Sequence, residues 1–323
     1  MATGVKNGKK TGKVERYMLE KIEKEGGILL SLVDPDSQPF EKGAKVAEAC
    51  CDAGADVILV GGSIGAQGLI LDKTTKMIRE RVNVPIVLFP GNVGTITPYA
   101  DAMYFMYVMN SREVYWMSTV QIQGAPVVKR MGIEPIPTGY IILEPGKAVG
   151  WISNANLIPR NRGDLAAATA LASQYMGAHF VVTDSGSGAE TPAPPELIAA
   201  VKSQLSIPYF YAGGCRTAEQ ASGIIKAGAD GIQVGTAFEM EDDIKKVKEK
   251  VLTLKAAIRE AGKEKIKKGN WNEPKSKSFM PMIRFPRLFK TSTMKKPEFS
   301  KENFKDSLKR FKEKREKRKS DKE

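Results

Sequence analysis

The stretch FVVTDSGSGAE, residues 180–190, shows the pattern of strand, turn and helix start that organises the rest of the chain. It opens with an apolar, β-branched run that predicts a buried strand, and Asp184 stands where this strand ends. The glycines that follow let a turn present its backbone N–H groups without side chains in the way. A helix is then predicted over residues 193–204, with two prolines in its first turn. A strand, an amide-rich turn and a helix start can hold a phosphate, although most glycine turns are only turns.

The same order of strand, polar turn and helix recurs along residues 14–262. Seven of eight predicted strands are followed by a segment with the length and periodicity of a helix. The exception follows the third strand, because residues 93–102 contain Gly and Pro and are too few for a helical crossover. After a helix at residues 14–25, the eight predicted strands lie at residues 28–33, 57–60, 86–89, 103–108, 140–143, 181–183, 207–211 and 231–234.

Eight evenly spaced units favour an α/β fold, a (β/α)8 TIM barrel with the third helix replaced by a short irregular crossover. The alternative is a doubly wound open sheet, but the G-x-G-x-x-G turn of its dinucleotide-binding form does not follow the first strand. Within the barrel, Ser111 is expected to cap a helix that ends near residue 131, and residues 147–162 are expected to form a loop. We expect three parts: a disordered N-terminus at residues 1–13, the barrel domain at 14–262 and a basic, disordered tail at 263–323.

The composition predicts a cytoplasmic protein with a substantial core. The chain has 323 residues, of which 42% are hydrophobic, and no apolar run approaches the roughly 20 residues of a membrane span. The N-terminus lacks the apolar segment of a secretory signal. Cys50, Cys51 and Cys215 do not make a disulfide framework and are expected to be reduced thiols. His179 is the single histidine, so a His-based triad or metal site has little to build on.

The positive charge of the chain is concentrated in its tail. Residues 263–323 carry 22 Lys and Arg against 9 Asp and Glu, which accounts for the whole net charge of +13. Phe279, Phe285 and Phe311 are among the large apolar side chains interleaved with these charges. Such a segment can lie on an anionic membrane, which would place the protein at the inner membrane surface. The alternatives are a solvated disordered tail and, least favoured, nucleic-acid binding.

The carboxyl ends of all strands of a TIM barrel meet at one rim, where active sites lie. Phosphate commonly sits between the loops after strands seven and eight, so three neighbouring amide-rich loops predict a phosphate site. Asp34 with the Ser63 hydroxyl would suit a Mg²⁺ ion shared with a diphosphate, because Mg²⁺ prefers hard oxygen ligands. The alternatives are a turn or N-cap role for Asp34 and a turn hydrogen bond for Ser63. The polar groups predicted at this rim are Asp34, Ser63, Asn92, Glu144, Asp184 and the glycine turns at residues 186–188, 213–214 and 235–236.

Residues 26–260 carry a specific joint set of motifs. They are LVDPD at 32–36, VGGS at 60–63, FPGN at 89–92, YADAMYFMYVMNS at 99–111, GYIILEPGKAVGWI at 139–152, ANLIPR at 155–160, TDSGSGAETP at 183–192, AGGCR at 212–216 and VGTAFE at 234–239. Together they resemble the geranylgeranylglyceryl phosphate synthase family.

The resemblance implies a Mg²⁺-dependent prenyltransferase. Such an enzyme joins geranylgeranyl diphosphate to the 3-hydroxyl of sn-glycerol 1-phosphate and so forms the first ether bond of archaeal membrane lipids. The resemblance also implies a barrel with a replaced third helix and a homo-oligomer, either a dimer or a hexamer. Two alternatives stay open: the same chemistry with a longer prenyl diphosphate, as in heptaprenylglyceryl phosphate synthases, and a non-catalytic phosphate-binding scaffold whose tail binds nucleic acid.

The resemblance also assigns roles to individual residues. Asp34 and Ser63 take the places of the metal ligands, and Asp184 holds the glycerol hydroxyls and orients, or accepts a proton from, the attacking one. The chain departs from many members at two positions, with Val182 in place of Tyr and Ser37 in place of Lys. Inward-facing residues of 99–108 are candidates for the wall of the prenyl channel. The positions assigned to sn-glycerol 1-phosphate are Val182, Thr183, Asp184, Ser185, Gly186, Ser187, Gly188, Gly213, Gly214, Gly235 and Thr236.

Overall fold

Eight parallel strands close into a barrel in the computed structural model, which describes residues 11–241 and 243–267. Each strand pairs with its neighbour in the chain, and the last strand pairs with the first. The closed order confirms the predicted TIM barrel and excludes the open sheet. The strands are β1 (Ile28–Val33), β2 (Val57–Val60), β3 (Ile86–Leu88), β4 (Ala102–Val108), β5 (Glu134–Ile142), β6 (Phe180–Asp184), β7 (Tyr209–Ala212) and β8 (Gly231–Val234).

Helices surround the barrel and connect most of the strands. A π-helical turn, Tyr115–Thr119, immediately precedes the helix between β4 and β5. The α-helices are α1 (Lys13–Glu25), α2 (Glu41–Asp52), α3 (Gly68–Arg79), α4 (Val120–Met131), α5 (Lys147–Ile152), α6 (Gly163–Tyr175), α7 (Pro195–Gln204), α8 (Ala218–Lys226), α9 (Thr236–Glu239) and α10 (Ile244–Lys267).

Two apolar layers form because successive side chains of a strand point to opposite faces of the sheet. The inner layer fills the barrel and includes the fully buried side chains of Leu30, Tyr104 and Val182. Met18 and Ile22 of α1 belong to the same cluster and are fully buried, so α1 closes the amino-terminal end of the barrel. The outer layer packs under the helices. Within the described part of the chain, this leaves the carboxyl end of the strands open for a site.

The connection from β3 to β4 confirms the prediction that a short irregular crossover replaces the helix expected after the third strand. Residues 89–101, all of which the structure describes, contain no helix. Asp101 holds this short connection, because its carboxylate accepts a hydrogen bond from the N–H of Ile86 at 2.9 Å. Arg79 of α3 in turn donates to the other oxygen of Asp101 at 2.9 Å. The missing helix leaves this side of the barrel covered by turns and by α4.

The prediction for the start of the fifth strand was wrong. β5 begins at Glu134, six residues before the predicted start at Tyr140. Pro135 and Pro137 argue against a strand in the sequence, because proline has no N–H to donate to a neighbouring strand. The ladder survives because a proline carbonyl still accepts: Pro137 O receives the N–H of His179 at 2.8 Å.

Two further local predictions differ from the structure. The predicted loop at 147–162 begins with the short helix α5, and Gly150 within it obscures the helical pattern. Ser111 does not cap the following helix. Its hydroxyl accepts from the N–H of Glu113 at 3.0 Å and donates to the carbonyl of Ser153 at 2.7 Å, which ties the loop after β4 to the end of α5.

The termini lie mostly outside the described residues. The last helix, α10, continues to Lys267, and the predictions made for residues 268–323 and for residues 1–10 concern segments that the structure does not describe. Among residues 11–241 and 243–267, none of the helices combines the length and the apolar character that crossing a membrane requires. The three cysteines are free, in agreement with the expectation of reduced thiols.

Candidate active site

A cavity of about 1080 Å³, counted with its open mouth, lies at the carboxyl end of the barrel. Every strand except β5 contributes its end or the first residues after it to the lining, and β5 contributes the side chain of Tyr140. Most of the residues assigned from the sequence line this single cavity. Those are Asp34, Ser63, Asp184, Ser187, Gly188, Gly213, Gly214, Gly235 and Thr236.

The loops after β6 and β8 meet at the edge of this cavity. The hydroxyls of Ser187 and Thr236 are 2.7 Å apart, and Thr236 Oγ1 also accepts the N–H of Gly188 at 3.2 Å. The loop after β7 completes the group with Gly213 and Gly214, which have φ angles of 95° and 75°. At Gly214 a Cβ would stand 2.5 Å from the backbone of Thr191, so only glycine permits this close approach. Three loops therefore bring backbone amides and two hydroxyls together.

Asp184 lies on the cavity wall with both carboxylate oxygens held. Tyr140 Oη donates to Oδ2 at 2.5 Å, and the N–H of Gly186 donates to Oδ1 at 2.6 Å. Burial raises the pKa of Asp184, and the two hydrogen bonds only partly offset this rise. Burial and the charge of Asp184 together raise the pKa of Tyr140 well above its ordinary value, so Tyr140 stays a neutral donor. The carboxylate is thus oriented and has lone pairs left to accept further hydrogen bonds.

Four of the positions assigned to the acceptor substrate are not brought into the cavity lining. The hydroxyls of Thr183 and Ser185 face away from the barrel axis and pair with Tyr209 Oη at 2.7 Å and Tyr211 Oη at 2.9 Å. Val182 belongs to the inner apolar layer, and Gly186 holds Asp184 through its N–H. These residues hold the loop and strand that carry Asp184 and do not line the cavity themselves.

Asp34 and Ser63 line the cavity close to a third polar residue that the sequence reasoning missed. Glu239, on α9, faces the same cavity, and its carboxylate accepts from Ser37 Oγ at 3.4 Å. Burial raises the pKa of both carboxyl groups, and the charge of Asp34 adds to the rise at Glu239. The sequence could have indicated the position of Glu239 at the rim. Glu239 ends the VGTAFE motif, four residues after Gly235, which is about one helical turn from the end of β8.

One wall of the cavity is apolar. Met106 and Val108 of β4 contribute to it, as expected for residues 99–108. Trp116 of the π-helical turn and Val149 of α5 were not predicted to line the cavity. Trp116 lies within the helix predicted to end near residue 131, and Val149 lies within the segment predicted as a loop. A second, smaller cavity of about 430 Å³ lies beyond this wall and shares Trp116 with the first. The two cavities together offer a long apolar space next to the polar loops.

These features define the class: a TIM-barrel protein with an amphipathic cavity at the carboxyl ends of its strands, where glycine turns and carboxylates stand beside an apolar wall. The comparisons with known proteins agree with this class and narrow it. The model of the PcrB family matches residues 20–253, and the chain belongs to the PcrB family.

Several curated relatives are close in sequence. The geranylgeranylglyceryl phosphate synthase of Thermococcus kodakarensis is 46% identical over 250 residues, which cover 77% of this chain and 99% of the relative. The enzyme of the same name from Methanococcoides burtonii is 46% identical over 241 residues, covering 74% of this chain and 98% of the relative. The match therefore includes nearly the whole length of each relative.

A solved structure is similar in fold as well. The crystal structure of (S)-3-O-geranylgeranylglyceryl phosphate synthase from Thermoplasma acidophilum, in complex with its substrate sn-glycerol-1-phosphate, has a TM-score of 0.72 and 33% identity. It covers 77% of this chain and 99% of its own. The barrel and the arrangement of its elements are thus shared with this relative.

Proposed function

We propose that this protein is a geranylgeranylglyceryl phosphate synthase, a prenyltransferase that joins geranylgeranyl diphosphate to the 3-hydroxyl of sn-glycerol 1-phosphate. The products are geranylgeranylglyceryl phosphate and diphosphate. The observation that carries the proposal is the single cavity in which amide-rich loops adjoin a long apolar wall, in a chain 46% identical to synthases of that name. A phosphorylated acceptor and a prenyl donor need those two environments side by side.

The three glycine turns receive the phosphate of the acceptor. Backbone N–H groups near Gly188, Gly213 and Gly235 are at the place in a TIM barrel where phosphate commonly binds. The hydroxyls of Ser187 and Thr236, now paired with each other, can turn to donate to phosphate oxygens. The phosphate then anchors a three-carbon acceptor whose hydroxyls reach toward Asp184.

Asp184 orients the attacking hydroxyl and accepts its proton. A carboxylate held by Tyr140 and Gly186 has a fixed direction for its free lone pairs, so the bound hydroxyl is aimed before reaction. The raised pKa of Asp184 makes it a stronger base than an exposed carboxylate, which suits proton acceptance near neutral pH. The oxygen attacks C1 of the prenyl donor as the bond to diphosphate breaks.

Asp34 and Ser63 fit a Mg²⁺ ion and would hold it with the diphosphate of the donor. Both offer hard oxygen atoms to the cavity, and Glu239 adds a second carboxylate nearby. Gly62 keeps this space clear, because a Cβ there would stand 2.3 Å from the Asp34 carboxylate. When bound, Mg²⁺ neutralises charge on the leaving diphosphate. Asp34→Asn should weaken Mg²⁺ binding measured by calorimetry and abolish turnover without changing the Tm.

The prenyl chain lies along the apolar wall. Met106, Val108 and Trp116 line both cavities, so a chain that passes them extends from the polar loops into the second cavity. The wall excludes water from the allylic carbon and leaves the diphosphate at the polar side. A longer donor, such as heptaprenyl diphosphate, is the second candidate, since the second cavity continues beyond Trp116.

The decisive experiment is incubation of the protein with sn-glycerol 1-phosphate, Mg²⁺ and prenyl diphosphates of several lengths, followed by product analysis. We expect an ether product that depends on all three components, with geranylgeranyl diphosphate as the best donor. Asp184→Asn is the matched control, because it retains the shape of the side chain and removes the base. The absence of an ether product with every donor would reject the proposal.

We also infer that the protein forms a homo-oligomer in the cytoplasm. Val114 and Ile122, on the helical segment between β4 and β5, are large apolar side chains that are 71% and 72% exposed. Contact with a second copy would cover them. Light scattering coupled to size exclusion should give a mass of at least twice 35.3 kDa, and Ile122→Lys should lower that mass if this segment lies in the interface.

A further inference from the structure

The charge that lines the cavity is mostly negative. Asp34, Asp184 and Glu239 all contribute carboxyl groups to the lining, whereas Arg216 is the one cation among the described residues that line it. A phosphate dianion that entered such a cavity would meet repulsion from the carboxylates at short range. Backbone amides offer only partial positive charges. A full positive charge close to the phosphate would therefore have a large effect on binding.

Arg216 connects two of the loops that carry the glycine turns, those after β6 and β7. It follows Gly213 and Gly214 in the loop after β7, and its Nη1 donates to the carbonyl oxygens of Ala189 at 2.7 Å and Glu190 at 2.8 Å. Both carbonyls belong to the loop after β6. In the described part of the chain these are the hydrogen bonds of its side chain, so Nε and Nη2 keep their N–H donors for a ligand. A guanidinium presents such donors in a plane that matches the oxygens of a phosphate.

We propose that Arg216 binds the phosphate of the acceptor substrate and supplies the positive charge that the glycine turns lack. This inference rests on the proposed function, in which the acceptor is a glycerol phosphate. The two carbonyl contacts hold the guanidinium at the edge of the cavity beside Ser187 and Gly188. Arg216 thus acts as a binding residue, and it selects acceptors that carry a phosphate over uncharged polyols.

A different role for Arg216 would be to brace the loop after β6 without touching the ligand. Arg160 provides the comparison, because it makes the same kind of contact without lining the cavity. It donates to the carbonyls of Thr191, at 3.3 Å, and of Pro192, in the same loop. If bracing were the whole role, loss of either arginine would have a similar effect on phosphate binding.

Calorimetry with two ligands, inorganic phosphate and sn-glycerol 1-phosphate, separates these roles. For Arg216→Gln in the full-length protein we expect the affinity for both ligands to fall by roughly 10- to 100-fold, as for loss of a hydrogen bond to a charged group. Arg216→Lys, which keeps the charge, should lose less. Arg160→Gln should change either affinity by less than about threefold. Wild-type affinity in Arg216→Gln, or an equal loss in Arg160→Gln, would overturn the inference.

A measurement on the wild-type protein covers the case in which Arg216→Gln does not fold. Phenylglyoxal modifies accessible arginines, and peptide mass analysis reports Arg216 and Arg160 separately. We expect inorganic phosphate to protect Arg216 and to leave the modification of Arg160 unchanged. Equal modification of Arg216 with and without phosphate would contradict direct binding.

The two proposals can fail independently. Phosphate binding and protection need no prenyl donor, so they test Arg216 whether or not the protein forms an ether. An inactive wild-type protein that still binds phosphate through Arg216 would reject the proposed function alone. Normal ether formation together with unaltered phosphate binding in Arg216→Gln would reject the role of Arg216 alone.

Discussion

At the residue scale, the pairing of Asp184 with Tyr140 governs the chemistry of the site. Asp184 is only 6% exposed, and an isolated buried carboxylate would be costly. Tyr140 Oη, at 2.5 Å, and the N–H of Gly186 donate to the carboxylate and partly offset the rise in its pKa that burial causes. Phe89 packs edge-on against the Tyr140 ring, with 5.4 Å between the ring centres, and limits its rotation. The aromatic pair thus sets the direction in which Asp184 accepts a hydrogen bond.

Replacement of Tyr140 by Phe should lower kcat by roughly 10-fold or more, since the base loses a group that orients it. The hydrogen bond from Tyr140 lowers the pKa of Asp184, so its removal raises that pKa further. The acid side of the profile of kcat/KM against pH should then move to higher pH. Tyr104→Phe is the matched control, because Tyr104 is equally buried and also packs on Phe89 but contacts Gln233 instead of Asp184. Identical pH profiles for wild type and Tyr140→Phe would contradict the role.

At the element scale, two short helical segments complete the cavity. The π-helical turn Tyr115–Thr119 is wider than an α-helical turn, and such turns often occur at functional sites. It places Trp116 between the main cavity and the second one. α5 adds Val149 and Ile152 to the wall near the mouth. Connecting segments as well as strand β4 therefore set the apolar length available to a donor.

Truncation of Trp116 to Ala should join the two cavities. We expect the ratio of activity with donors longer than C20 to activity with geranylgeranyl diphosphate to rise, because the ring no longer limits the depth of the apolar space. Competition assays with mixed donors measure this ratio. Tyr115→Ala is the control, since Tyr115 packs edge-on against Trp116 at 5.0 Å but does not line either cavity. An unchanged ratio in Trp116→Ala would remove Trp116 as the limit on chain length.

The same aspartate hydrogen bond recurs at the amino-terminal ends of three strands and stabilises the barrel. Asp56, Asp101 and Asp230 each stand just before a strand and accept the N–H of a residue in the preceding strand, at 2.9 to 3.0 Å. Asp230 is fully buried and also pairs with Lys202 at 2.6 Å and Lys265 at 2.7 Å. Lys265 belongs to α10, so this cluster fastens the last helix to the start of β8.

Asp230→Asn should lower the free energy of unfolding at pH 7 by roughly 3–5 kcal/mol, because it removes the buried negative charge that Lys202 and Lys265 contact. Burial by itself would raise the pKa of Asp230, but Lys202 and Lys265 outweigh it and hold this pKa below its ordinary value. The stabilisation is therefore complete above the unfolded pKa of about 3.9 and is lost as the pH falls through the folded pKa.

Thermal unfolding as a function of pH tests this linkage. The Tm of the wild type should fall more steeply than that of Asp230→Asn below about pH 4. Asp164→Asn serves as the control, since Asp164 forms an exposed pair with Arg162 and such pairs contribute little. Parallel curves for wild type and Asp230→Asn would show that this cluster does not contribute to acid unfolding.

At the scale of the whole molecule, the charge separates into a neutral barrel and a basic tail. Membrane contact through residues 268–323 stays a prediction from composition, because these residues lie outside the described part of the chain. A truncation that tests it should end at Lys267, since an earlier cut at residue 262 would remove Lys265 from its contact with Asp230. The full chain should co-sediment with anionic liposomes and the 1–267 chain should not. Equal recovery of both chains with the liposomes would reject membrane contact through the tail.

Much of the site could be predicted from the sequence, because the geometry of a TIM barrel brings the carboxyl ends of all its strands together. Once eight strand-helix units are recognised, every strand end must meet at one rim, so Asp34, Ser63 and Asp184 were placed together without coordinates. Glycine turns after neighbouring strands could be grouped for the same reason. The assignment of the whole run 182–188 to the substrate did not separate Thr183 and Ser185 from Asp184, although side chains on either side of a cavity-facing strand residue point to the outer face.

The sequence by itself determined the fold, the order of the strands and the polar rim, because period-two strands, helical periods and glycine turns are local signals. Only the tertiary structure decided which polar groups touch. The bond from Tyr140 to Asp184 joins residues 44 positions apart, and the approach of Glu239 to Asp34 joins the last strand unit to the first. Contacts of that range depend on barrel closure and side-chain packing, which local patterns do not encode. The position of Arg216 at the cavity, in contact with the loop after β6, became visible for the same reason.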